Sequence, residues 1–279
     1  MEFLSSLFSL PPGQVLALVS VAFCAGIVDA IAGGGGLLNV PALMLAGLDP
    51  VSAVATNKLQ GTFGVLASTR AYARAGLINV RDMAQAVAGS AIGAGLGAIS
   101  AQVIPTGALR TVVPFLLLAL ALFIALSPKL TDAESHRRLG RSGFALGVAS
   151  VIGFYDGIFG PGGGTFFFIA LVLLLGQGVT RAAANAKLLN LASNAGAFAL
   201  FALSGHIVWA LGVSMGLAAM AGSAIGARAA LKQGAKLIKP LVIVVSIGMA
   251  LRLMLASSHP VGAWLGARLA PWFAPWLAQ

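Results

Sequence analysis

The sequence predicts an all-α polytopic membrane protein built as two inverted repeats. Each repeat is a glycine-broken re-entrant helical hairpin with three spanning helices. Three observations carry this prediction. First, 59% of the 279 residues are hydrophobic and only 9% are charged, with a mean hydropathy of +0.97. A soluble domain carries about 25% charged residues, so lipid is the solvent. Second, the apolar residues form continuous runs rather than alternating with polar ones, which excludes a β-barrel. Helices are then the remaining spanning structure, since lipid offers no partner to an unpaired backbone group. Third, the 36 glycines fit helices whose backbones approach closely.

The runs fall in order. The first covers about 14–32 and ends in a glycine cluster, followed by a short run at 37–48. Runs at 51–72, 83–104 and 108–127 come next, each near the roughly 20 residues that cross a bilayer. A polar stretch, 127–142, holds Lys129, Asp132, Glu134, His136, Arg137, Arg138 and Arg141. The pattern then restarts at 142–159, with a second glycine cluster, a short run at 165–176, and long runs at 180–204, 208–230 and 237–256. This divides the chain into an N-terminal repeat at 1–127, a cytoplasmic linker loop at 128–141, a C-terminal repeat at 142–257 and a tail at 258–279. The tail carries Trp264, Trp272 and Trp276 between prolines and reads as interfacial. Glu2 precedes the first run without any Lys or Arg, unlike a signal peptide. The first run is therefore expected to be a mature segment. The single cysteine, Cys24, excludes an internal disulfide.

The repetition is legible residue by residue. Gly26–Gly36, with Asp29, matches Gly153–Gly163, with Asp156. Ala55–Leu59, with Lys58, matches Ala184–Leu188, with Lys187. Ala88–Ala94 recurs letter for letter as Ala221–Ala227. Loop charge sets the orientation. If 142–176 enters and returns to one side, the basic residues of 70–82, 127–142 and 228–239, with Arg181, all face the cytoplasm. Only Arg110 is then left in an outer loop. The positive-inside bias favours that arrangement, and it makes the halves inverted, with both termini outside. The net charge of +10 is thus a topology signal and implies no nucleic-acid partner.

Three constellations carry chemistry. The glycine breaks Gly34, Gly35, Gly36 and Gly162, Gly163, Gly164 each precede a short helix, starting near Leu37 and Thr165. A helix N-terminus offers N–H groups and partial positive charge to an anion, and glycine lets that anion reach the backbone. The breaks also serve as tight turns, and both uses are compatible. The second constellation is Asn57 and Lys58 with Asn185, Lys187, Asn190 and Asn194. Lys187, Asn190 and Asn194 are spaced to share one helical face. A lysine inside a span is costly, about 2.5 kcal/mol or more. Two at matching positions either bind an anion together or extend to the headgroups. Third, Asp29 and Asp156 are the acidic residues inside apolar runs. They either brace the glycine turns and pair with Lys58 or Lys187, or carry protons for coupling. No set of residues suits catalysis, a metal or a cofactor. Paired broken segments in inverted repeats point to a secondary transporter with a midplane site. An anion channel and a non-transporting membrane assembly factor stay open as alternatives.

The glycine stretch with Asn39 and Pro41, the segment ending Asn57-Lys58, the motif Gly153–Thr165 and the later Asn185 and Lys187 resemble the sulfite and organosulfonate exporters of the TauE/SafE type. The resemblance covers about residues 14–256. It implies export of small sulfur-containing anions such as sulfite, sulfonates or sulfoacetate across the cytoplasmic (inner) membrane. The site it implies rests on Gly162–Gly164, Thr165, Asn57 with Lys58, and Asn185 with Lys187. The partners implied are a small anion and the lipid bilayer, and the architecture is compatible with a homo-oligomer.

Overall fold

A computed structural model describes residues 10–103 and 132–234, together with 115, 122 and several positions between 236 and 251. The sequence runs at 108–127 and 237–256 and the tail at 258–279 lie largely or wholly outside the described residues. Among the described residues the elements are α1 (Pro12–Ala32), α2 (Gly35–Leu45), α3 (Pro50–Arg74) and α4 (Val80–Ser100) in the first half of the sequence. In the second half, α5 starts as Arg141–Gly143, passes through a π-helical stretch, Phe144–Ala149, and continues as Ser150–Ile158. It is followed by α6 (Gly163–Leu175), α7 (Val179–Ser204) and α8 (Trp209–Gln233). Four of these, α1, α4, α7 and α8, are long and apolar enough to cross a membrane. The chain is a multi-pass membrane protein. The 25-residue α3 has the length but carries its own polar face.

The helix ends follow local chemistry. Pro12 opens α1, and Pro50 opens α3, where a missing N–H costs nothing and φ is already helical. Asp49 caps α3, its Oδ1 accepting from Val51 N at 3.0 Å and Ser52 N at 3.1 Å. Hydrogen bonding to Ser52 holds the Asp49 carboxyl below its ordinary range. Asn79 caps α4 in the same way. At the glycine breaks α1 ends into Gly33 (φ 76°) and Gly34 (φ 107°), and α6 is approached through Gly160 (φ 84°) and Gly162 (φ 87°). These are left-handed conformations that other residues resist. The short helices start at Gly35 and Gly163, two residues earlier than the sequence expectation.

The halves are intertwined. α1 packs along α8, and α5 packs along α4. Thus the first helix of each half rests on the last described helix of the other. α3 and α7 lie against each other at the centre, with α8 on α3 and α4 on α7. Glycines set these contacts. A Cβ on Gly222 would strike the Phe23 carbonyl and one on Gly226 the Ile27 carbonyl. Their counterparts Gly89 and Gly93 stand in the same way against Ala145 and Ser150. This explains the letter-for-letter repeat 88–94 and 221–227: both copies present small residues so that two backbones can touch.

Two apolar clusters fill the bundle. One gathers Tyr72, Met83, Phe144, Phe167, Leu171, Leu189 and Ala227. The other gathers Leu18, Leu43, Leu59, Ala98, Ile158, Phe201 and Leu211. Along α1, α3 and α8 the chain runs from the second cluster toward the first. Along α4, α5 and α7 it runs the opposite way.

Overpacking a tight backbone crossing costs about 1–3 kcal/mol. Gly226→Ala and Gly93→Ala are each predicted to lower the unfolding midpoint in detergent by several degrees. Gly147→Ala, where a Cβ meets nothing within 4 Å, serves as the comparison. A Gly226→Ala protein as stable as Gly147→Ala would contradict the packing described.

Candidate functional site

Lys58 and Lys187 stand at the same point of α3 and α7, eight residues past Pro50 and Val179. Both are buried, at 0% and 2% exposure. Neither reaches for a helix end. Lys58 Nζ lies 2.7 Å from Asp156 Oδ2, a close ionic contact without aligned hydrogen-bond geometry. Lys187 Nζ donates to Asp29 Oδ2 at 2.9 Å. The lysine of each half therefore pairs with the carboxylate of the other. A lone buried charge costs several kcal/mol, so each pairing ties a third helix of one half to the first helix of the other.

Each carboxylate also braces a glycine turn. Asp29 Oδ1 accepts from Gly35 N at 3.0 Å, which fastens the start of α2 to α1. Asp156 sits against Gly163, where a Cβ would collide with the carboxyl group. It also accepts from Ser193 Oγ at 2.5 Å. Ser193 lies on α7, the helix of Lys187. The first-half counterpart of Ser193 is Gly64, so Asp29 has no such hydroxyl partner among the described residues, and its side chain is 13% exposed against 2% for Asp156.

The two glycine turns meet. A Cβ on Gly33 would come 2.6 Å from Thr165 N, and one on Gly164 would come 3.3 Å from Gly33 Cα. Thr165 Oγ1 donates to the Ala32 carbonyl at 3.2 Å, closing the contact. Between and beside the turns lies a cavity of about 40 Å³. On a measure where one water needs about 10–15 Å³, it takes about three waters or one compact ion. Gly34, Gly35 and Gly36 line it from α2, and Gly162, Gly163 and Gly164 from α6. Asn57, Asn190, Asn194, Asp29 and Asp156 line it too. A Cβ on Gly36 would lie 3.2 Å from Asn57 Nδ2. Asn194 Nδ2 donates to the Asn190 carbonyl at 2.8 Å, and its Oδ1 lies over Gly61. The wall away from the turns is made of small residues, Ala25, Gly26, Gly61, Gly64 and Ala219.

The residues singled out from the sequence thus divide. The six glycines, Asn57, Asn190, Asn194 and both aspartates come together around the cavity. Lys58 and Lys187 stand one ion pair behind its lining. Thr165 joins the turns rather than lining the cavity. Asn185 is elsewhere: its Nδ2 donates to Gln177 Oε1 at 2.9 Å in a different, surface cavity. The sequence places Gln60 in the segment Thr56–Gln60 beside Asn57 and Lys58 without making it a site residue, uses Asn39 only as part of a motif, and does not single out Ser193 or Ser223. Asn39 and Gln60 line the cavity, each 2% exposed with a side-chain oxygen that has no hydrogen-bond partner among the described residues. One signal was available for Gln60: it follows Asn57 by three residues and so shares its helical face.

Removing one member of a buried ion pair typically costs about 3–5 kcal/mol. Asp156→Ala is predicted to destabilise more than Asp29→Ala, because its pair is the drier one and Ser193 loses a partner as well. In double-mutant cycles read by thermal unfolding, Lys58→Ala should couple to Asp156→Ala, and Lys187→Ala to Asp29→Ala. Stronger coupling within a half than across halves would contradict the crossed pairing.

Comparison with known proteins follows the same outline. The family described as "Sulfite exporter TauE/SafE" matches residues 18–253. A protein of Sinorhizobium sp named "Probable membrane transporter protein ORF9" is 45% identical over 254 residues, covering 91% of this chain and 97% of that one. The Escherichia coli K12 protein named "Probable membrane transporter protein YfcA" is 40% identical over 267 residues, covering 95% and 99%. A more distant relative, "Probable membrane transporter protein YunE" of Bacillus subtilis, is 24% identical over 255 residues, covering 82% and 93%. No solved structure matches the chain. With the family match spanning most of its length and two relatives aligned nearly end to end, the chain belongs to the sulfite exporter TauE/SafE family of membrane transporters.

Proposed function

We propose that this protein exports small sulfur-containing anions across the cytoplasmic membrane by alternating access, with the cavity at the paired glycine turns as its substrate site. The observation that carries the reading is the convergence of two short-helix N-terminal turns, one from each half, on a single small polar cavity. Helix N-termini favour anions, and Asn57, Asn190 and Asn194 add amide groups around the same space. The crossed pairs Lys58–Asp156 and Lys187–Asp29 neutralise each other's charge. An anion that reaches either ammonium competes with a carboxylate for it. In this reading Lys58 and Lys187 complete the site once the anion is bound, and Asp29 and Asp156 either hold the turns or take up a proton when released. Thr165 holds the turns together, and Asn185 serves the path to the site.

Sulfite, with four heavy atoms, suits a cavity of about 40 Å³ better than sulfoacetate or longer sulfonates. Outward movement of an anion is helped by an inside-negative potential, about 2.3 kcal/mol per charge per 100 mV.

Inversion of the halves is supported by the apolar clusters. α3 and α7 carry matching residues yet traverse the clusters in opposite order, as do α1 and α5, and α4 and α8. The same clusters support re-entrant hairpins. α2 turns back to the cluster α1 started from, through Val40 and Leu43, and α6 returns through Phe167 and Leu171 to the cluster α5 started from. Among the described residues outside the two buried lysines, Arg70, Arg74, Arg81, Arg137, Arg138, Arg141, Arg181, Arg228, Lys232 and Lys236 all belong to one end of the bundle. The positive-inside bias makes that end cytoplasmic.

In proteoliposomes the protein is predicted to move sulfite with saturable kinetics and to be stimulated by anion on the opposite side. Asn57→Ala and Asn190→Ala should each weaken sulfite about tenfold, a loss near 1.4 kcal/mol, with little change in unfolding midpoint. Flux that rises linearly with sulfite and ignores the opposite side would mark a channel and overturn the carrier reading.

A further inference from the structure

The surface cavity that holds Asn185 is separate from the substrate cavity and larger, about 250 Å³. It opens among the start of α4 (Asn79, Asp82, Met83), the 134–137 loop, the start of α5 (Arg141), the end of α6 (Leu175–Gln177) and the start of α7 (Arg181, Asn185). α6 runs from the glycine turn to this cavity. Its 13 residues at 1.5 Å each put the two about 20 Å apart. We propose that this cavity is a second anion site, a recruitment vestibule on the basic face that holds small oxyanions before they reach the glycine turns. The proposal rests on the anion-carrier reading above and adds a site and a direction to it.

Several features favour an anion here. Three guanidinium groups, from Arg137, Arg141 and Arg181, line the cavity against two carboxylates, Asp82 and Glu134. Arg137 has no carboxylate partner among the described residues; its Nε donates to the Leu139 carbonyl at 2.8 Å. The other two guanidiniums sit in exposed pairs, Arg141–Asp82 at 2.8 Å and Arg181–Glu134 at 2.5 Å. Exposed pairs contribute little to stability, so an oxyanion draws these arginines away at little cost. The N-terminal ends of α4, α5 and α7 all reach the cavity; those of α4 and α7 are capped by Asn79 and by Asp132, whose Oδ1 accepts from Thr180 N at 2.8 Å, so the guanidinium groups carry most of the attraction. A concave basic surface concentrates anions and speeds their capture.

The floor supplies the independent observation. Asn185 is 3% exposed, and its Oδ1 is buried with no hydrogen-bond partner among the described residues. Its Nδ2 is spent on Gln177 Oε1. The terminal torsions of asparagine and glutamine are broad and roughly two-fold, so either end of each amide fits the same place, and the hydrogen-bond network decides between them. If both amides turn over together, Gln177 Nε2 donates to Asn185 Oδ1, and the Asn185 amide N–H groups take the vacant position as donors for an oxyanion.

The matching position in the first half cannot do this. Thr56 stands where Asn185 does, and its Oγ1 accepts from Val208 N at 3.1 Å. The described loops at that end, 46–49, 101–103 and 205–208, contain no Arg or Lys. The vestibule therefore belongs to one face, and the carrier is kinetically asymmetric.

The test uses full-length protein in oriented proteoliposomes, with sulfite presented to either face. Arg137→Gln, Arg181→Gln and Asn185→Ala should each raise the KM from the basic face severalfold with kcat unchanged, and leave the KM from the other face as in wild type. Raising ionic strength should raise the wild-type KM from the basic face and do so less in Arg137→Gln. Equal KM changes on both faces, or none, would overturn the vestibule. A binding arm separates this from the function reading. In a Cys24→Ser background, Ser135→Cys is labelled with a charged maleimide in the presence of methanesulfonate. Protection that is lost on adding Arg137→Gln supports the site even where no sulfite flux is seen. Labelling indifferent to methanesulfonate in a protein that transports sulfite rejects the site while sparing the carrier.

Discussion

Two lysines buried in an apolar helical bundle need counter-charges, and each finds its carboxylate on the other half of the chain. Lys58 meets Asp156 and Lys187 meets Asp29. Much of the centre is arranged around this constraint. Because the carboxylates sit just before the glycine turns, each pair fixes where a turn lies relative to the opposite third helix. Because the pairs cross, the two turns are drawn into contact at Gly33 and Gly164. The intertwining of α1 with α8 and of α5 with α4 then follows, and it demands the backbone contacts that Gly226 and Gly93 allow. Electrostatics and small-residue packing thus specify the same arrangement.

The pairing also changes the meaning of the lysines. Paired, they bring no net charge to the cavity, and the helix N-termini provide the remaining positive field. In the carrier reading proposed above, a site neutral at rest keeps the cost of two buried cations low and still presents an ammonium group one displacement away from an arriving anion. The asymmetry between the pairs has a place in such a cycle. Asp156 is held by Ser193, whereas the corresponding helix carries Gly64 at that position and Asp29 is more open. Gly61 and Gly64 line the cavity, where the corresponding positions of α7 are Asn190 and Ser193.

Much of this was legible in the sequence. The repetition located both glycine breaks, both lysines and both aspartates, and an Asp–Lys pairing was among the roles considered. What a linear reading could not supply was the crossing, because the choice between pairing within a half and between halves depends on how the helices intertwine. Helix phase explains the other differences. Asn190 and Asn194 share a face with Lys187 at three and seven residues, and both line the cavity. Asn185 precedes Lys187 by two residues, which puts it on another face, and it points to a different cavity despite its place in the motif. Ser193 and Ser223 stayed hidden because a lone serine in an apolar helix usually bonds its own backbone. Here Ser193 reaches Asp156, and Ser223 reaches the Gly26 carbonyl on α1.

On the proposed function, the crossed pairs belong to the anion site and are more than structural fasteners. Replacing both members of a buried pair by apolar residues is often neutral for stability, so the two roles can be separated. The decisive measurement is sulfite binding by isothermal titration to purified wild type and to the joint variant Lys187→Met with Asp29→Leu, each checked for a cooperative unfolding transition. The expected result is a folded double variant whose sulfite affinity has fallen at least tenfold. A folded double variant that binds sulfite as tightly as wild type would contradict it.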